Sequence, residues 1–290
     1  MSLLSDTKNY CSAYSLKPRR ERGQNFLINP LIYRQIIEAA DIQRDDTVLE
    51  IGPGLGYLTE LLAERSGRVV AVEIDKNLLT ILRQKFTYSK NIELVGDDAL
   101  KINLEKLKLK NYKLVANLPY NITGAILRKF LDSDRKPKSL ILMLQKEVAQ
   151  RIISLPPKEN LLSLMVQFYG RPKIVKIVSK NNFWPKPKID SAIIKITTTN
   201  QESNTLVRPV CWTNGSRTNR QIDKKKFFSL LRAGFCSPRK YLISNLIKQE
   251  IFSRTDGESV WRELKFNPKV RAQELSLEQW EKLFKLSLLL

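Results

Sequence analysis

The chain has 290 residues, no histidine, and 50 Lys and Arg against 29 Asp and Glu, a formal net charge of +21. Its 42% hydrophobic and 27% charged residues are typical of a globular protein with room for one large and one small domain. The charge favours a polyanionic partner, either nucleic acid or an acidic membrane surface, and the missing histidine excludes imidazole as a general base or metal ligand.

The predicted elements follow a basic arm over residues 1–22. A helix is expected from residue 30, strands at 47–51, 68–73, 92–95, 112–117 and 139–144, and helices after the first two strands. This alternation, with short connections, predicts a parallel, doubly wound sheet with right-handed crossovers. Residues 199–222 have the composition of a loop, and helical patterns at 224–247 and 276–289 predict a small helical domain. We expect a sheet domain over 23–204 and a helical domain over 205–290.

No apolar run approaches the ~18 residues of a membrane span, and the N-terminus lacks the long apolar core of a secretory signal. The three cysteines, Cys11, Cys211 and Cys236, are widely spaced and form no metal-binding pattern. We therefore expect a reduced, cytoplasmic, monomeric protein with no membrane partner and no metal.

Polar residues follow the predicted strands where ligands bind in such sheets. The Gly-rich turn at 52–56 lets the backbone approach a ligand closely, but it does not separate NAD from S-adenosylmethionine. Glu73, at the end of the second strand, can accept hydrogen bonds from both hydroxyls of a ribose. Asp98 can accept from the exocyclic amine of an adenine ring, and Asp97 beside it competes for that role.

The segment Asn117-Leu118-Pro119-Tyr120 predicts the reaction. The amine of a nucleobase is a poor nucleophile because its lone pair is delocalised into the ring. The Asn117 side-chain oxygen and the Leu118 carbonyl can accept hydrogen bonds from this amine and so localise its lone pair. Tyr120 offers a ring for the base to stack on. This chemistry requires no general base.

Two flanking segments can complete the pocket. Residues 23–27 can fold over a cofactor, and Phe183, within a segment rich in prolines and lysines, can clamp the other face of a flipped base. Those prolines and lysines make a buried position for Phe183 unexpected.

A family resemblance rests on nine ordered motifs, which are GQNFL, EIGPGLGYLT, AVEID, GDDAL, NLPYNIT, MLQKEVAQR, FWPKPKIDSA, LRAGFCSPRKYL and RAQELSLEQW. From about residue 17 onward the chain resembles the ribosomal RNA adenine N6-dimethyltransferases, most closely the bacterial small-subunit type. The resemblance implies a Rossmann-like class I methyltransferase sheet with a small all-helical C-terminal domain. It also implies S-adenosylmethionine as methyl donor and two adjacent adenosines near the 3′ end of small-subunit rRNA, in a late pre-ribosomal particle, as substrate.

The resemblance also assigns residues. The cofactor contacts would be Asn25, Leu27, Gly52, Glu73, Asp98 and Asn117, and the target amine would meet Asn117, Leu118, Tyr120 and Phe183. The chain departs from the family pattern at Pro238, where relatives carry a second basic residue. It also lacks the usual aromatic residue and arginine at 160–163. Both departures lie away from the implied pocket.

Three alternatives stay open. The related enzymes that dimethylate large-subunit rRNA share the same motifs, although Leu118, the RAQELS segment and the basic helix near Arg239 favour the small-subunit type. A non-catalytic assembly factor that binds the ribosome fits the same sequence. An NAD-dependent oxidoreductase fits the Gly-rich turn and Glu73 but leaves NLPY and FWPKPK unexplained.

Overall fold

A computed structural model of the protein describes residues 2–18, 24–119, 122–199 and 223–289. The strands are Phe26–Leu27 (β1), Thr47–Ile51 (β2), Arg68–Val72 (β3), Ile92–Val95 (β4), Lys113–Asn117 (β5), Ser139–Gln145 (β6), Gly170–Val178 (β7), Phe183–Trp184 (β8) and Ser191–Thr198 (β9). The α-helices are Leu3–Ala13 (α1), Pro30–Ala40 (α2), Tyr57–Ala63 (α3), Lys76–Lys85 (α4), Thr123–Leu131 (α5), Lys146–Ile152 (α6), Leu161–Tyr169 (α7), Lys224–Gly234 (α8), Leu242–Lys248 (α9), Arg254–Glu263 (α10) and Leu277–Ser287 (α11). None of the helices described is long and apolar enough to cross a membrane.

Seven strands form one sheet in the order β4-β3-β2-β5-β6-β9-β7. The strands from β4 to β6 are parallel, but β9 runs antiparallel to both β6 and β7, which corrects the expectation of an all-parallel sheet. The connection from β7 to β9 contains no α-helix to return the chain in parallel. Strand order reverses at β2, which lies between β3 and β5, so a ligand is expected at the carboxyl ends of these strands.

Helices α2 and α3 cover one face of this sheet. Helix α2 begins where the Asn29 side chain accepts the N–H of Leu31 at 2.9 Å, with Pro30 in the first turn, and it ends at Asp41 in the left-handed region. One buried core joins the two helices to strands β2, β3, β5, β6 and β9, and it includes Ile32, Ile36, Ile37, Leu58, Leu62, Val48, Val69, Val115, Ile141 and Ile193. Each fully buried aliphatic side chain stabilises the fold by roughly 1.5–3 kcal/mol, so this packing holds the carboxyl ends of the strands in place.

The N-terminal residues differ from the arm expected for them. Residues 3–13 form α1, whose N-terminus is capped by the Ser2 side chain. Thr7 and Cys11, one turn apart, are buried, and Tyr10 and Leu16 pack against the cluster around Leu55. The short apolar stripe of α1 explains why the sequence pattern did not predict it. Residues 19–22, the most basic part of the expected arm, lie outside the described residues.

The chain divides into two compact units. The first contains residues up to 150 and 169–199, and the second contains residues 151–168 together with the C-terminal residues, described from 223 onward. The expected boundary at 204 placed residues 151–168 in the sheet domain. They belong instead with the helical unit, because Phe168 stacks on Phe227 at 5.2 Å and the Glu159 N–H donates to the Gln273 carbonyl at 3.0 Å. Asn160, in the segment that departs from the family pattern, caps α7 by accepting the N–H groups of Leu162 and Ser163.

Candidate active site

The Gly-rich turn joins β2 to α3 at the centre of the sheet. Gly52, Gly54 and Gly56 have φ angles of 70°, 59° and 78°, in the region that disfavours other residues. A Cβ atom on Gly52 would lie 3.9 Å from the Asn117 carbonyl oxygen, and one on Gly54 would lie 3.5 Å from the Phe26 ring. The turn therefore lies directly between the end of β5 and the segment around β1.

Glu73 follows β3 and is 6% exposed. Its two carboxylate oxygens accept backbone N–H groups, from Gly54 at 3.3 Å and from Asp75 at 2.9 Å. Burial raises the pKa of Glu73, and these hydrogen bonds offset part of that rise. The acid is thus oriented toward the Gly-rich turn by backbone groups, as the ribose acceptor of a nucleoside cofactor requires.

Glu50 lies near the end of β2 and is 1% exposed. Burial raises the pKa of Glu50 to about 8, the neighbouring Thr59 offsets part of this rise, and the charge of Glu73 adds to it. Its Oε2 atom has no hydrogen-bond partner among the described residues. A buried polar atom without a partner, next to a glycine turn with backbone N–H groups, fits a site built for a polar ligand.

The end of β5 carries the residues expected to activate the target amine. Asn117 pairs in register with Met143, and the Leu118 N–H donates to the Met143 carbonyl at 3.1 Å. The Leu118 side chain is 2% exposed, so only its backbone can meet a substrate. Within the described part of the chain, neither the Asn117 side chain nor the Leu118 carbonyl has a hydrogen-bond partner. Both acceptors are therefore available at the switch point of the sheet.

The two flanking segments pair with each other. Strands β1 and β8 are antiparallel, with Leu27 opposite Phe183, and Asn29 donates to the Asn182 side chain at 2.7 Å. Leu27 is 1% exposed, and its carbonyl accepts the Tyr33 hydroxyl at 3.0 Å. Phe183 is 3% exposed and belongs to the core under α2, so the expectation of an unburied Phe183 is wrong. The pairing with β1 covers this ring despite the neighbouring prolines and lysines.

The remaining expected residues lie around this centre. Asn25 is partly buried next to β1. Asp98 is partly exposed after β4, and its Oδ1 accepts the Leu100 N–H at 2.9 Å, which leaves Oδ2 without a hydrogen-bond partner among the described residues. Asp97 is exposed and accepts the Asp98 N–H. Tyr120 lies outside the described residues.

Two residues near the site were not predicted. Ile74, directly after Glu73, is 63% exposed, which is unusual for a large aliphatic side chain beside a buried acid. The signal that could have identified it is an isoleucine between two acids in a turn. Tyr33 is buried and holds Leu27 through its hydroxyl, but its place in the apolar stripe of α2 gave no sign of that role.

The described residues contain no cluster of three or more His, Cys, Asp or Glu side chains that could hold a metal. The acids of the site stand instead at the ends of separate strands, as a nucleoside cofactor with several separate polar groups requires. The Gly-rich turn and Glu73 fit S-adenosylmethionine, whose ribose hydroxyls need such an acceptor.

Comparisons with known proteins agree with this geometry. A family profile described as ribosomal RNA adenine dimethylase matches residues 15–209. The Ribosomal RNA small subunit methyltransferase A of Dehalococcoides mccartyi is 41% identical over 284 residues, covering 97% of this chain and 92% of that protein. The protein of the same name from Clostridium botulinum is 38% identical, covering 96% of this chain and 97% of that protein.

Solved structures show the same fold. The 23S rRNA methyltransferase ErmE is 26% identical with a TM-score of 0.70, covering 90% of this chain and 99% of that chain. A dimethyladenosine transferase from Plasmodium falciparum is 24% identical with a TM-score of 0.72, covering 88% of this chain and 94% of that chain. The predicted Rossmann-like class I methyltransferase fold with a small helical C-terminal part is confirmed.

Proposed function

Because the chain belongs to the ribosomal RNA adenine dimethylase family, whose methyl donor is S-adenosylmethionine, we propose that it dimethylates N6 of two adjacent adenosines near the 3′ end of small-subunit rRNA. We place this reaction in a late pre-ribosomal particle in the cytoplasm, with the protein acting as a monomer. The observation that carries the proposal is the pair of unpartnered acceptors at Asn117 and Leu118, directly beside the Gly-rich turn.

We propose the cofactor contacts from the geometry of the site. Glu73 would accept the two ribose hydroxyls, and the Gly52 backbone would meet the methionine part. Asp98, through its free oxygen, would accept the adenine amine, while the exposed Ile74 side chain offers that ring an apolar surface. Asn25 and the Leu27 backbone would line the other side, because β1 lies over Gly54 through the Phe26 ring.

The target base would enter at the end of β5. S-Adenosylmethionine supplies an electrophilic methyl group on a sulfonium. Asn117 and Leu118 accept hydrogen bonds from the target amine, which localises the nitrogen lone pair and orients it toward the Gly-rich turn. Tyr120 would stack on the base, and the buried Phe183 would close the pocket from below. An acceptor pair of this kind needs no imidazole, in agreement with a chain that has no histidine.

The choice of ribosomal subunit depends on the relatives. The proteins named for the small subunit are 41% and 38% identical over nearly the whole chain, whereas the 23S rRNA methyltransferase ErmE is 26% identical. The shared fold supports the chemistry for either rRNA, and the higher identity supports the small subunit.

The proposal is tested by incubating the protein with immature small subunits or large subunits and labelled S-adenosylmethionine. Nuclease digestion and mass spectrometry then locate the dimethyladenosine. We expect two adjacent dimethyladenosines in small-subunit rRNA only. Label in large-subunit rRNA would assign the protein to the other branch of the family, and binding to small subunits without any methyl transfer would support the assembly-factor alternative.

A further inference from the structure

The edge strand β7 carries a group of lysines that the active site does not use. Lys173 and Lys176 are exposed on β7, and Lys195 on β9 is partly exposed. We call these three residues the β7 basic strip. Among the described residues, none of the three forms an ion pair. From residue 170 to residue 189 the chain contains no Asp or Glu at all.

A β-bulge places the strip on one face of the sheet. In the register, Lys173 is opposite Lys195 and Lys176 is opposite Ile193, with the irregularity between Ile174 and Lys176. Residues 193 and 195 share a face because side chains alternate along β9. Lys173 and Lys176 are three positions apart and would point to opposite faces of a regular strand. The extra residue at the bulge brings both to the face that carries Lys195.

This arrangement has an electrostatic cost. Lysines directly opposite each other on antiparallel strands repel, and Lys173 and Lys195 have no carboxylate partner to relieve the repulsion. A surface that concentrates uncompensated positive charge is suited to a polyanion, because neutralised phosphates release their counterions. Flexible lysine side chains suit contact with phosphates at variable positions, without reading the bases.

We propose that the β7 basic strip binds the sugar-phosphate backbone of a double-helical segment of the substrate rRNA, outside the pocket that holds the target adenosine. The proposal depends on the proposed function for the identity of the RNA. Folded rRNA presents A-form helices, which proteins recognise mainly by shape and by backbone contacts. The strip runs along β7 toward Val178, level with the carboxyl end of β6, so a helix bound there extends away from the base-entry edge.

Lysines on an edge strand also prevent edge-to-edge aggregation, and charge substitutions separate the two roles. The variant Lys173→Glu/Lys176→Glu keeps the edge charged, so it preserves protection against aggregation while removing the positive charges that bind phosphate. It also converts the repulsive Lys173–Lys195 pair into an attractive one. We therefore expect the melting temperature to stay constant or rise by about 1–3 °C while RNA binding weakens.

The test is a titration of immature small subunits with the full chain at several potassium chloride concentrations. The double variant should lower the slope of log affinity against log salt by roughly 1.4–1.8, about 0.7–0.9 for each phosphate that is no longer neutralised. The matched control is Lys106→Glu/Lys110→Glu, which makes the same charge change at two exposed lysines between β4 and β5. This control should keep the wild-type slope.

Three results would overturn the proposal. One is a salt slope that is the same for Lys173→Glu/Lys176→Glu and for the control Lys106→Glu/Lys110→Glu, whether or not it differs from wild type. Another is self-association of the Glu variant with normal binding to small subunits. The third is loss of binding to phosphatidylserine vesicles with normal binding to small subunits, which would identify a membrane partner. If the Glu variant melts at a lower temperature than wild type, the salt slope is measured for Lys173→Gln/Lys176→Gln instead. An unchanged salt slope in that variant would reject the proposal that the β7 basic strip binds RNA.

The same titration keeps the two proposals separate. Saturating small subunits should be methylated by the Glu variant at the wild-type maximal rate, since the strip does not touch the pocket. If the wild-type protein binds small subunits without methylating them, the proposed function is contradicted, but the proposal that the β7 basic strip binds RNA is not. A wild-type protein that methylates them, with a salt slope the Glu variant does not change, contradicts the strip alone.

Discussion

The candidate site has a side proposed to hold the cofactor and a side proposed to hold the target base, and the acceptor groups on these two sides differ in their hydrogen bonding. On the cofactor side, both oxygens of Glu73 accept backbone N–H groups, and the Gly-rich turn is positioned by three glycines with positive φ. On the side of the target base, the Asn117 side chain and the Leu118 carbonyl have no partner among the described residues. In the proposed mechanism, Glu73 is oriented before the cofactor binds, whereas the Asn117 side chain and the Leu118 carbonyl gain their hydrogen bonds only when the RNA base binds.

This difference predicts that changes on the two sides affect different quantities. Groups held by the fold before binding contribute to affinity, whereas groups that gain their hydrogen bonds only with the reacting amine contribute to turnover. The following predictions test this division, in order of decreasing effect.

The largest effect is expected for Asn117→Ala. Removal of an acceptor that acts mainly in the transition state should lower turnover on small subunits by about 10²–10³-fold, because loss of one such electrostatic contact typically lowers the rate by that factor. Single-turnover methyl transfer measures the change. Affinity for S-adenosylmethionine, measured by calorimetry, serves as the control and should stay within a few-fold. A near wild-type rate would remove Asn117 from the mechanism.

Glu73→Ala should act mainly on cofactor affinity. Hydrogen bonds to a charged group contribute roughly 1.5–3 kcal/mol, which corresponds to a dissociation constant for S-adenosylmethionine about 10–100-fold higher. Glu64→Ala is the matched control, since Glu64 is exposed after α3 and pairs only with its neighbour Arg65 among the residues described. Equal cofactor affinity in the two variants would show that Glu73 does not contact the ribose.

Changes in the helical unit should affect neither side of the site. Arg239 and Lys240 are exposed, and their reversal to Glu should weaken binding to small subunits and lower the salt slope by roughly 0.7–0.9 for each phosphate that the variant no longer neutralises. The affinity for S-adenosylmethionine should stay at the wild-type value. An unchanged salt slope would mean that these residues are only solvated at the surface.

The smallest effect concerns stability and Glu50. Burial raises the pKa of this carboxyl from its ordinary 4.5 to about 8 in the folded chain, so folding favours the protonated form. The folded state should therefore lose stability as the pH rises from about 4.5 to 8, and no further loss from this group should follow above that range. Glu50→Gln should remove this part of the pH dependence and melt a few degrees higher at pH 9. Parallel melting curves of the two proteins across this range would contradict the assignment.

Much of the cofactor side could be predicted from the sequence, because local signals determine it. The runs of Val, Ala and Leu before Glu73 and Asn117 predict buried strands, and an acid or an amide stands at the end of each. Strands β2 and β4 have the predicted bounds, and helix α4 follows β3 as predicted. Glycines in a turn between a strand and a helix indicate a backbone with positive φ that a ligand can approach closely.

The parts that were missed depend on distant contacts. Phe183 is buried because β8 pairs with β1, a partner more than 150 residues away in the chain. Strand β7 has basic residues on both sides of its bulge, so its alternation is broken and no strand was predicted there. The division at residue 150 was missed for the same reason, since residues 151–168 pack with helices that follow much later in the sequence.

The most direct test of this division measures both quantities on both variants, Asn117→Ala and Glu73→Ala, with one preparation of small subunits. Calorimetry gives the dissociation constant for S-adenosylmethionine, and single-turnover methyl transfer at saturating cofactor gives the chemical rate. We predict a crossed result, in which Asn117→Ala loses rate and keeps affinity while Glu73→Ala loses affinity and keeps most of the rate. If each variant lowered both quantities by the same factor, the division of the site into a prearranged cofactor side and a base-dependent acceptor side would be contradicted.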